Sequence, residues 1–596
     1  MSSRIEDYAL IGDCQTAALV GRDGSIDWLC VPRFDSGACF AALLGTAEHG
    51  RWQIAPVESP RRVERRYRDG TLILETVFTT SEGEVAVIDC MPLRGDELDV
   101  VRIVEGRRGA VRMHMELVIR FDYGSIVPWV RRTERGIRAI GGPDQIELQT
   151  SVPLRGEAMT TVAEFNVSEG ERVPFVLQWQ PSHEEARGCV DAEEALAETE
   201  AWWREWSGRC SHKGEYRDAA LRSLITLKAL TYAPTGGIVA AATTSLPEQL
   251  GGVRNWDYRL CWLRDATFTL YSLMLAGYRD EAVAWRDWLL RAVAGDPSQI
   301  SIMYGLAGER RLQELELPWL PGYEGSAPVR VGNAAYTQLQ LDIFGEVMDA
   351  LHLSRISGVD SDENSWRLQR NLIEFMQTIW RDPDEGVWEV RGPRRQFTHS
   401  KVMAWVAVDR MVKGVEQFHL EGPIDEWRRS RDEIHAEVCE RGFDARLNSF
   451  VQFYGATETD ASLLAIPLVG FLPPQDPRVI GTVEMIERTL MRDGFLDRYV
   501  THEAVDGLPA GEGAFLPASF ALADTYCVLG RHDDARRLFE RLLGLTNDVG
   551  LISEEYDRER ERLLGNFPQA LTHVAIVNTA MNLDRAAGPA EKRRKH

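Results

Sequence analysis

Two loops of the sequence carry carboxyl groups that could work as an acid and a base. One is the turn GVWEVRG, which contains Glu389, and the other is GLISEEYD, which contains Glu554 and Glu555. Hydrolysis of an acetal needs an acid that protonates the leaving oxygen and a base that deprotonates the incoming water. Two carboxylates on separate loops over one pocket would meet that need. Taken singly, each loop is more commonly explained as solvated surface charge.

Further aromatic and charged side chains crowd the neighbouring loops. Sugar pockets stack rings on Trp and Tyr and bind hydroxyl groups with charged side chains, so this composition favours a carbohydrate site. The residues concerned are Tyr258, Trp262, Arg264, Asp265, Trp319, Arg330 and Trp388. Two plainer explanations stay open at this point. Asp265 could cap a helix while it pairs with Arg264 at the surface, and the long loop around Trp319 could simply bury its aromatic residues.

The bulk composition limits the class of partner. The length of 596 residues exceeds what one hydrophobic core usually organises, so two domains are expected. A formal net charge of −23 argues against nucleic acid and anionic membranes as partners, because both are bound by clustered Lys and Arg. A small neutral molecule is the expected substrate. The basic ending EKRRKH is short and is expected to be solvated.

The sequence shows no targeting or cofactor motif. The N-terminus MSSRIEDYALIGD lacks the basic and apolar regions of a secretory signal, and the apolar run LLAIPLVGFL is too short to cross a membrane, so a cytoplasmic location is expected. The nine cysteines are scattered without CxxC or zinc spacing. Motifs of zinc proteases, P-loop enzymes and serine hydrolases are missing as well. No metal or organic cofactor is expected.

The pattern of the chain changes near residue 190. Short β-branched runs closed by turns come first, and TLILETVFTTSEGEVAVIDCM predicts a strand, a turn and a second strand. Strands without intervening helices predict an antiparallel β-sandwich over residues 1–190. The segment DAEEALAETEAWWREW then predicts a linker helix over residues 191–212, with its tryptophans on one face.

Helical patterns dominate residues 213–586, and residues 587–596 are expected to form a disordered basic tail. About twelve helices are expected, each followed by a loop with Gly or Pro. They could form a closed ring of six inner and six outer helices, or an open α-solenoid that serves as a binding scaffold. No short repeat of fixed period is present, and the loops are long and rich in Trp, Tyr and Arg, which favours the ring.

Taken together, these motifs resemble glycoside hydrolase family 15, the family of glucoamylases, glucodextranases and prokaryotic-type trehalases. The stretches RNWDYRLCWLRDATFTL, WLPGYEGSAPVRVGNAA, VWEVRG with QFTHSKVMAW, DGLPAGEGAFLPASFALAD and ISEEYDRERERLLGNFPQALTHVAIVNTA occur in the family's order. The opening YALIGDCQTAALVGRDGSIDWLCVPRFDS resembles the family's bacterial β-sandwich domain. The resemblance covers essentially the whole chain and implies an N-terminal antiparallel β-sandwich followed by an (α/α)6 barrel.

The resemblance also implies an inverting, exo-acting hydrolase. Glu389 is then the general acid and Glu554 the general base, while Arg264 and Asp265 match the pair that holds the outer hydroxyls of the terminal glucose. The remaining substrate-binding candidates are Tyr258, Trp262, Trp319, Arg330, Trp388 and Glu555. Ala327 departs from the family pattern, because an arginine is expected in its place.

The resemblance fixes an α-glucosidic bond but not the group on its other side. α,α-Trehalose is the leading substrate, since a cytoplasmic enzyme meets small sugars more often than granular starch. Maltooligosaccharides or isomaltose-type glucosides are the alternative. A carbohydrate-binding protein that kept the barrel and lost the chemistry is the alternative from another class, although the presence of both Glu389 and Glu554 argues against it. A homo-oligomer is left open.

Overall fold

The computed structural model describes residues 3–93, 98–185, 188–358, 363–501, 507, 509, 511–584 and 588–595. In this part of the chain the N-terminal domain is built from antiparallel strands. The strands are β1 (Tyr8–Gly12), β2 (Ala17–Gly21), β3 (Ser25–Cys30), β4 (Ala38–Phe40), β5 (Arg51–Pro56), β6 (Arg62–Tyr67), β7 (Leu74–Thr79), β8 (Gly83–Cys90), β9 (Leu98–Val118), β10 (Trp129–Arg132), β11 (Gly136–Gly141), β12 (Asp144–Thr150), β13 (Arg155–Glu157), β14 (Thr160–Ser168) and β15 (Arg172–Pro181).

The long strand β9 joins the two halves of this domain. Its first half pairs with β8 and β15, which continue to β7 and β6 on one side and to β12, β11 and β10 on the other. Its second half pairs with β5 and β14, and β5 leads to β3, β2 and β1. Buried apolar side chains from both halves fill the space between them. The predicted antiparallel β-domain is confirmed, including the β7–β8 hairpin.

Helix α1 (Ala192–Gly208) connects the two domains, as the sequence predicts. Its N-cap is Asp191, whose carboxylate accepts hydrogen bonds from the backbone of Glu193 and Glu194. Near its C-terminal end Trp206 stacks on Tyr278, with ring centroids 4.1 Å apart. This contact fixes the helix against the barrel, because Tyr278 immediately precedes a barrel helix.

The C-terminal domain is an (α/α)6 barrel, which confirms the closed ring. The inner helices are α3 (Arg264–Leu275), α5 (Asp342–Ile356), α7 (Thr398–Phe418), α9 (Ala465–Leu468), α11 (Leu516–Val528) and α13 (Ala570–Asp584). Each inner helix packs on the next, and α13 packs on α3, so the ring closes. The outer helices are α2 (Arg217–Ala229), α4 (Arg279–Val293), α6 (Glu363–Ile379), α8 (Ile424–Arg441), α10 (Pro477–Leu490) and α12 (His532–Leu543).

The structure differs from the expectation of a disordered basic tail. Residues Pro589–Lys595 form helix α14, which packs on α9, α11 and α13. Arg593 of this helix is buried and pairs with Asp349 and Glu346 inside the ring. The basic C-terminal segment therefore contains one buried residue, Arg593, whose side chain closes the far end of the barrel.

The N-terminal domain supports the loops at the opposite end of the barrel. Trp28 Nε1 donates to the carbonyl of Ala242 at 2.8 Å, and Arg259 Nη1 donates to the carbonyl of Ser36 at 3.0 Å. Both barrel residues lie in the loop before α3, so the β-domain holds this loop in place. Among the residues described, no helix combines the length and the apolar character needed to cross a membrane.

Candidate active site

A pocket opens at the N-terminal ends of the inner helices. The loops that precede α3, α7, α11 and α13 each supply side chains to it, and inner helices supply its deeper wall. The predicted residues that line it are Tyr258, Trp262, Arg264, Asp265, Trp388, Glu389 and Glu554. Loops that lie far apart along the sequence thus bring both candidate carboxyl groups to one cavity.

Glu389 lies in a strained turn on one side of the pocket. Its φ of +55° belongs to the left-handed region, which side-chain-bearing residues rarely adopt. Trp262 Nε1 donates to Glu389 Oε1 at 2.7 Å, and Arg264 Nη2 donates to the same oxygen at 3.2 Å. Arg264 also donates to the carbonyl of Val387 at 2.6 Å, which holds the turn itself. Oε1 is therefore fixed, while Oε2 accepts no comparable hydrogen bond from the part of the chain that the structure describes.

Glu554 lies on a second loop that lines the same pocket and is almost fully buried. Tyr258 donates its hydroxyl to Glu554 Oε1 at 2.7 Å, whereas Oε2 is buried without a hydrogen-bond partner in the described structure. Gly565 directly follows the short strand Arg562–Leu564, and a Cβ atom on it would lie 3.0 Å from the Cβ of Glu554. One oxygen of Glu554 is thus held by Tyr258, and the other is buried without a donor among the described residues.

Two aromatic side chains link these carboxyl groups. The rings of Tyr258 and Trp262 meet edge to face with centroids 5.3 Å apart. Tyr258 holds Glu554 and Trp262 holds Glu389, so a single contact couples the positions of both carboxyl groups. Because both aromatic residues come from the segment just before α3, the geometry of that one segment sets the spacing of the site.

A cluster of buried charge lies beneath Glu554. Glu248, Glu554 and Glu555 each place a carboxylate oxygen within 4.8 Å of the other two. Burial, followed by the repulsion from Glu248, raises the pKa of Glu554 to about 8, and burial also raises the pKa of Glu248. Arg498 Nη2 lies 3.1 Å from Glu248 and 3.6 Å from Glu555. The trio has the spacing of a cation site, and the guanidinium of Arg498 already supplies positive charge to it.

Asp265 faces the pocket and does not act as a helix cap. The N-cap of α3 is Leu263, and no side chain caps this end. Asp265 Oδ1 lies 3.8 Å from Arg264 Nε, too far for a hydrogen bond, and has no hydrogen-bond partner among the described residues. Burial raises the pKa of Asp265 to about 6. A buried acceptor at a pocket wall suits a ligand hydroxyl better than a surface ion pair.

Three residues predicted to bind substrate lie outside the pocket lining. Trp319 is 42% exposed and donates its ring N–H to the carbonyl of Tyr123, because its loop folds over the N-terminal domain. Arg330 lies behind Trp256, with its guanidinium 4.6 Å from the ring centroid. Glu555 is fully buried and accepts a hydrogen bond from the backbone of Gly513. None of the three lines the pocket. Arg330 packs on Trp256, which does line it, and Glu555 holds the backbone of Gly513, which lies next to it.

Both domains match sequence families. Residues 214–581 match the family described as glycosyl hydrolases family 15, and residues 1–203 match one described as trehalase-like, N-terminal. The trehalase of Mycobacterium tuberculosis is 37% identical over 618 residues, covering 98% of this chain and 90% of that protein. The trehalase of Thermoplasma volcanium is 33% identical over 592 residues, covering 98% and 94%. The chain belongs to glycoside hydrolase family 15.

The fold agrees with this membership. The crystal structure of a bacterial glucoamylase complexed with acarbose superposes with a TM-score of 0.74 at 13% sequence identity, covering 100% of this chain and 97% of that one. The two domains and their order are therefore those of a solved structure. The protein is a glycoside hydrolase, and the resemblance stated from its motifs is confirmed.

Several residues of this glycoside hydrolase's pocket were not among the sequence candidates. They are Glu248, Asn333, Arg391, His399, Arg498 and Gln569. Arg391 belongs to the same turn as Glu389, and its guanidinium lies 4.0 Å from the centroid of Trp256 while pairing with Glu314. An aromatic residue flanked by arginines was a signal in the sequence, but their mutual stacking was not readable from it.

Proposed function

We propose that this enzyme hydrolyses a terminal α-glucosidic bond with inversion and releases glucose. The observation that carries the proposal is the placement of Glu389 and Glu554 on one pocket, held at either end of the Tyr258–Trp262 pair. Inverting enzymes need an acid and a base that are separated by room for one water molecule. Two carboxyl groups that are each held by a different aromatic residue, Glu554 by Tyr258 and Glu389 by Trp262, fit that requirement.

Glu389 is the proposed proton donor. Its Oε1 is occupied by the donors of Trp262 and Arg264, so the transferable proton belongs on Oε2. The proton passes to the glycosidic oxygen as its bond to the anomeric carbon breaks. The left-handed backbone of Glu389 turns this carboxyl group toward the pocket, which explains why a strained conformation is kept there.

Glu554 is the proposed base. Its carboxylate, which lines the pocket, takes a proton from water while the water oxygen bonds to the anomeric carbon from the opposite face. A raised pKa makes Glu554 a stronger base but reduces the ionised fraction at lower pH. Activity should therefore rise as pH increases toward the pKa of this group.

The pocket shape supports attack at a chain end. Arg593 of α14 and Glu346 of α5 lie among the residues lining its inner end, so it stops within the ring instead of forming an open groove. Asp265 and Arg264 at its wall are the proposed partners of the hydroxyls of the terminal glucose. An enclosed pocket accepts one terminal sugar more readily than the middle of a polymer.

The preferred substrate is proposed to be α,α-trehalose. The proteins of Mycobacterium tuberculosis and Thermoplasma volcanium, to which this chain is 37% and 33% identical over nearly its whole length, are trehalases. Maltooligosaccharides and isomaltose-type glucosides contain the same kind of terminal bond and are the competing substrates. Glucose release should be measured in parallel from trehalose, maltose, isomaltose and soluble starch. Preference for maltose or starch would replace the trehalose proposal, whereas release from none would favour a binding protein.

The catalytic assignment is tested with two isosteric variants. Glu389→Gln and Glu554→Gln should each lower glucose release at least about 1000-fold, as expected for loss of an essential acid or base. Proton NMR of early product should show β-glucose from the ring that water attacks, since inversion exchanges the anomer there. With trehalose the leaving half adds an equal amount of α-glucose, because its own anomeric bond is not cut. Retained activity in both variants, or α-glucose as the sole first product, would refute the mechanism.

A further inference from the structure

Glu248 is a buried carboxylate that the proposed reaction does not use. It lies on the loop before α3, is 3% exposed, and lines the pocket. One of its oxygens lies within 4.8 Å of carboxylate oxygens of both Glu554 and Glu555. Placing a third buried carboxylate beside a pair is costly unless charge compensation or a proton accompanies it.

The positive charge near Glu248 is shared among many carboxylates. Arg498 pairs with Glu248 at 3.1 Å, but it also makes two hydrogen bonds to Glu512, at 3.1 and 2.5 Å. Arg254 lies 4.0 Å from Glu248 and 3.7 Å from Glu512. Two guanidiniums thus face four carboxyl groups, Glu555 and Glu554 being the others. Glu554, the proposed base, is therefore left in surroundings that favour its protonated form.

We propose that Glu248 is a positioning residue that makes Glu554 a stronger base by placing a second negative charge beside it. This inference deepens the proposed function and rests on Glu554 being the base. The effect is electrostatic: at a separation below 5 Å, within a buried site, like charges raise each other's proton affinity. The distance and burial carry the argument.

The other groups around Glu554 do not reproduce this effect. Tyr258 donates a hydrogen bond and Arg498 attracts the carboxylate, and both favour the ionised form. Glu389 faces Glu554 from the acid side and adds a weaker repulsion than Glu248 does. Glu512 is held on Arg498, and its oxygens are not part of the close trio. Glu248 is therefore the group whose charge acts most directly on the base after burial itself.

The test is the pH profile of kcat/KM for glucose release. In Glu248→Gln the acidic limb, which reports ionisation of the base, should move to lower pH by about 1 unit, because one neighbouring negative charge is gone. Glu248→Asp keeps the charge but withdraws it by one methylene, so it should move the limb in the same direction by less. Glu512→Gln is the matched control, and its shift should be smaller than that of Glu248→Gln.

The outcomes separate this inference from the proposed function. If Glu389→Gln and Glu554→Gln abolish hydrolysis while Glu248→Gln lowers activity equally at every pH, Glu248 has only a structural role and the inference fails alone. An equal shift in Glu512→Gln would also overturn it, because the effect would then be general charge removal. If Glu248→Gln does not fold, a shifted limb in Glu248→Asp supports the inference and an unchanged limb refutes it.

Discussion

Trp262 donates its ring N–H to Oε1 of Glu389 at 2.7 Å, and this bond joins the helix α3 side of the site to the turn that carries the proposed acid. Trp262 is 3% exposed, so its end of the bond is largely shielded from solvent. The same oxygen accepts from Arg264. Two donors from one segment hold a residue whose backbone is strained, and together they decide which carboxyl oxygen faces the substrate.

Removing the Trp262 donor should therefore lower catalysis more than stability. In Trp262→Phe we expect kcat/KM for glucose release to fall about 10- to 100-fold, because a hydrogen bond to a charged group contributes about 1.5–3 kcal/mol. Trp319→Phe is the matched control, since Trp319 lies outside the pocket, and it should keep near-normal activity. Equal losses in the two variants would show that the Trp262 bond has no specific role.

Gly565 should be required for the position of Glu554. Gly565 has a φ of +75°, and an added Cβ would lie 3.0 Å from the Cβ of Glu554. Gly455 has a φ of +86° with no atom within 4 Å, so Gly455→Ala introduces the backbone strain without the contact. Both alanine variants should lose about 1–2 kcal/mol of stability. Only Gly565→Ala should also lose activity, by at least about tenfold, because it displaces the base; unchanged turnover would contradict this.

Asp342 should make the folded protein less stable as pH rises toward 7. Burial raises its pKa to about 7, despite the attraction of Arg264, whereas an aspartate in the unfolded chain titrates near 3.9. Between these values the folded state holds a proton that the unfolded state has released, so stability falls with increasing pH. Asp342→Asn removes this contribution, which is at most about 1.4 kcal/mol per pH unit.

The check is urea unfolding of wild type and Asp342→Asn at pH 5, 6, 7 and 8. The difference in unfolding free energy should shift in favour of the variant as pH increases, whatever its sign at pH 5. A difference that stays constant across the series would mean that Asp342 does not hold a proton in the folded protein.

The fold was largely predictable because its signals are local. The β7–β8 hairpin and most of the barrel helices follow from apolar periodicity, which reports the buried face of each element directly. The clearest deviation is DASLLAIPLV, residues 460–469, whose apolar pattern predicts one of the barrel helices. It forms a 3₁₀ turn, Ala461–Leu464, and the short α9, because Pro467 has no N–H to continue a longer helix.

The site was predictable only in its motif residues. Glu248 and Arg498 are 250 positions apart, and nothing in a single sequence shows that they pair. Trp319 met the criterion of an aromatic residue in a long loop, yet that loop packs on the N-terminal domain. The arginines of the Glu389 turn also diverge: Arg391 lines the pocket, whereas Arg394 pairs with Glu385 near the surface. Only folding decides between such alternatives.

Arg593 should contribute strongly to the stability of the barrel. Burial alone would raise the pKa of Asp349, but the guanidiniums of Arg410 and Arg593 hold it at about 2, so this stabilisation is present above pH 4 and is lost as pH falls toward 2. Arg593→Met leaves Asp349 and Glu346 short of a partner and should cost about 3–5 kcal/mol at pH 7 in urea unfolding. Arg594→Met, which removes a pair within α14, should cost less than about 1 kcal/mol.

Because protonation of Asp349 removes its interaction with Arg593, the Arg593→Met and Arg594→Met variants should converge in stability near pH 2. A difference in unfolding free energy that persists there would show that Arg593 acts through packing instead of charge.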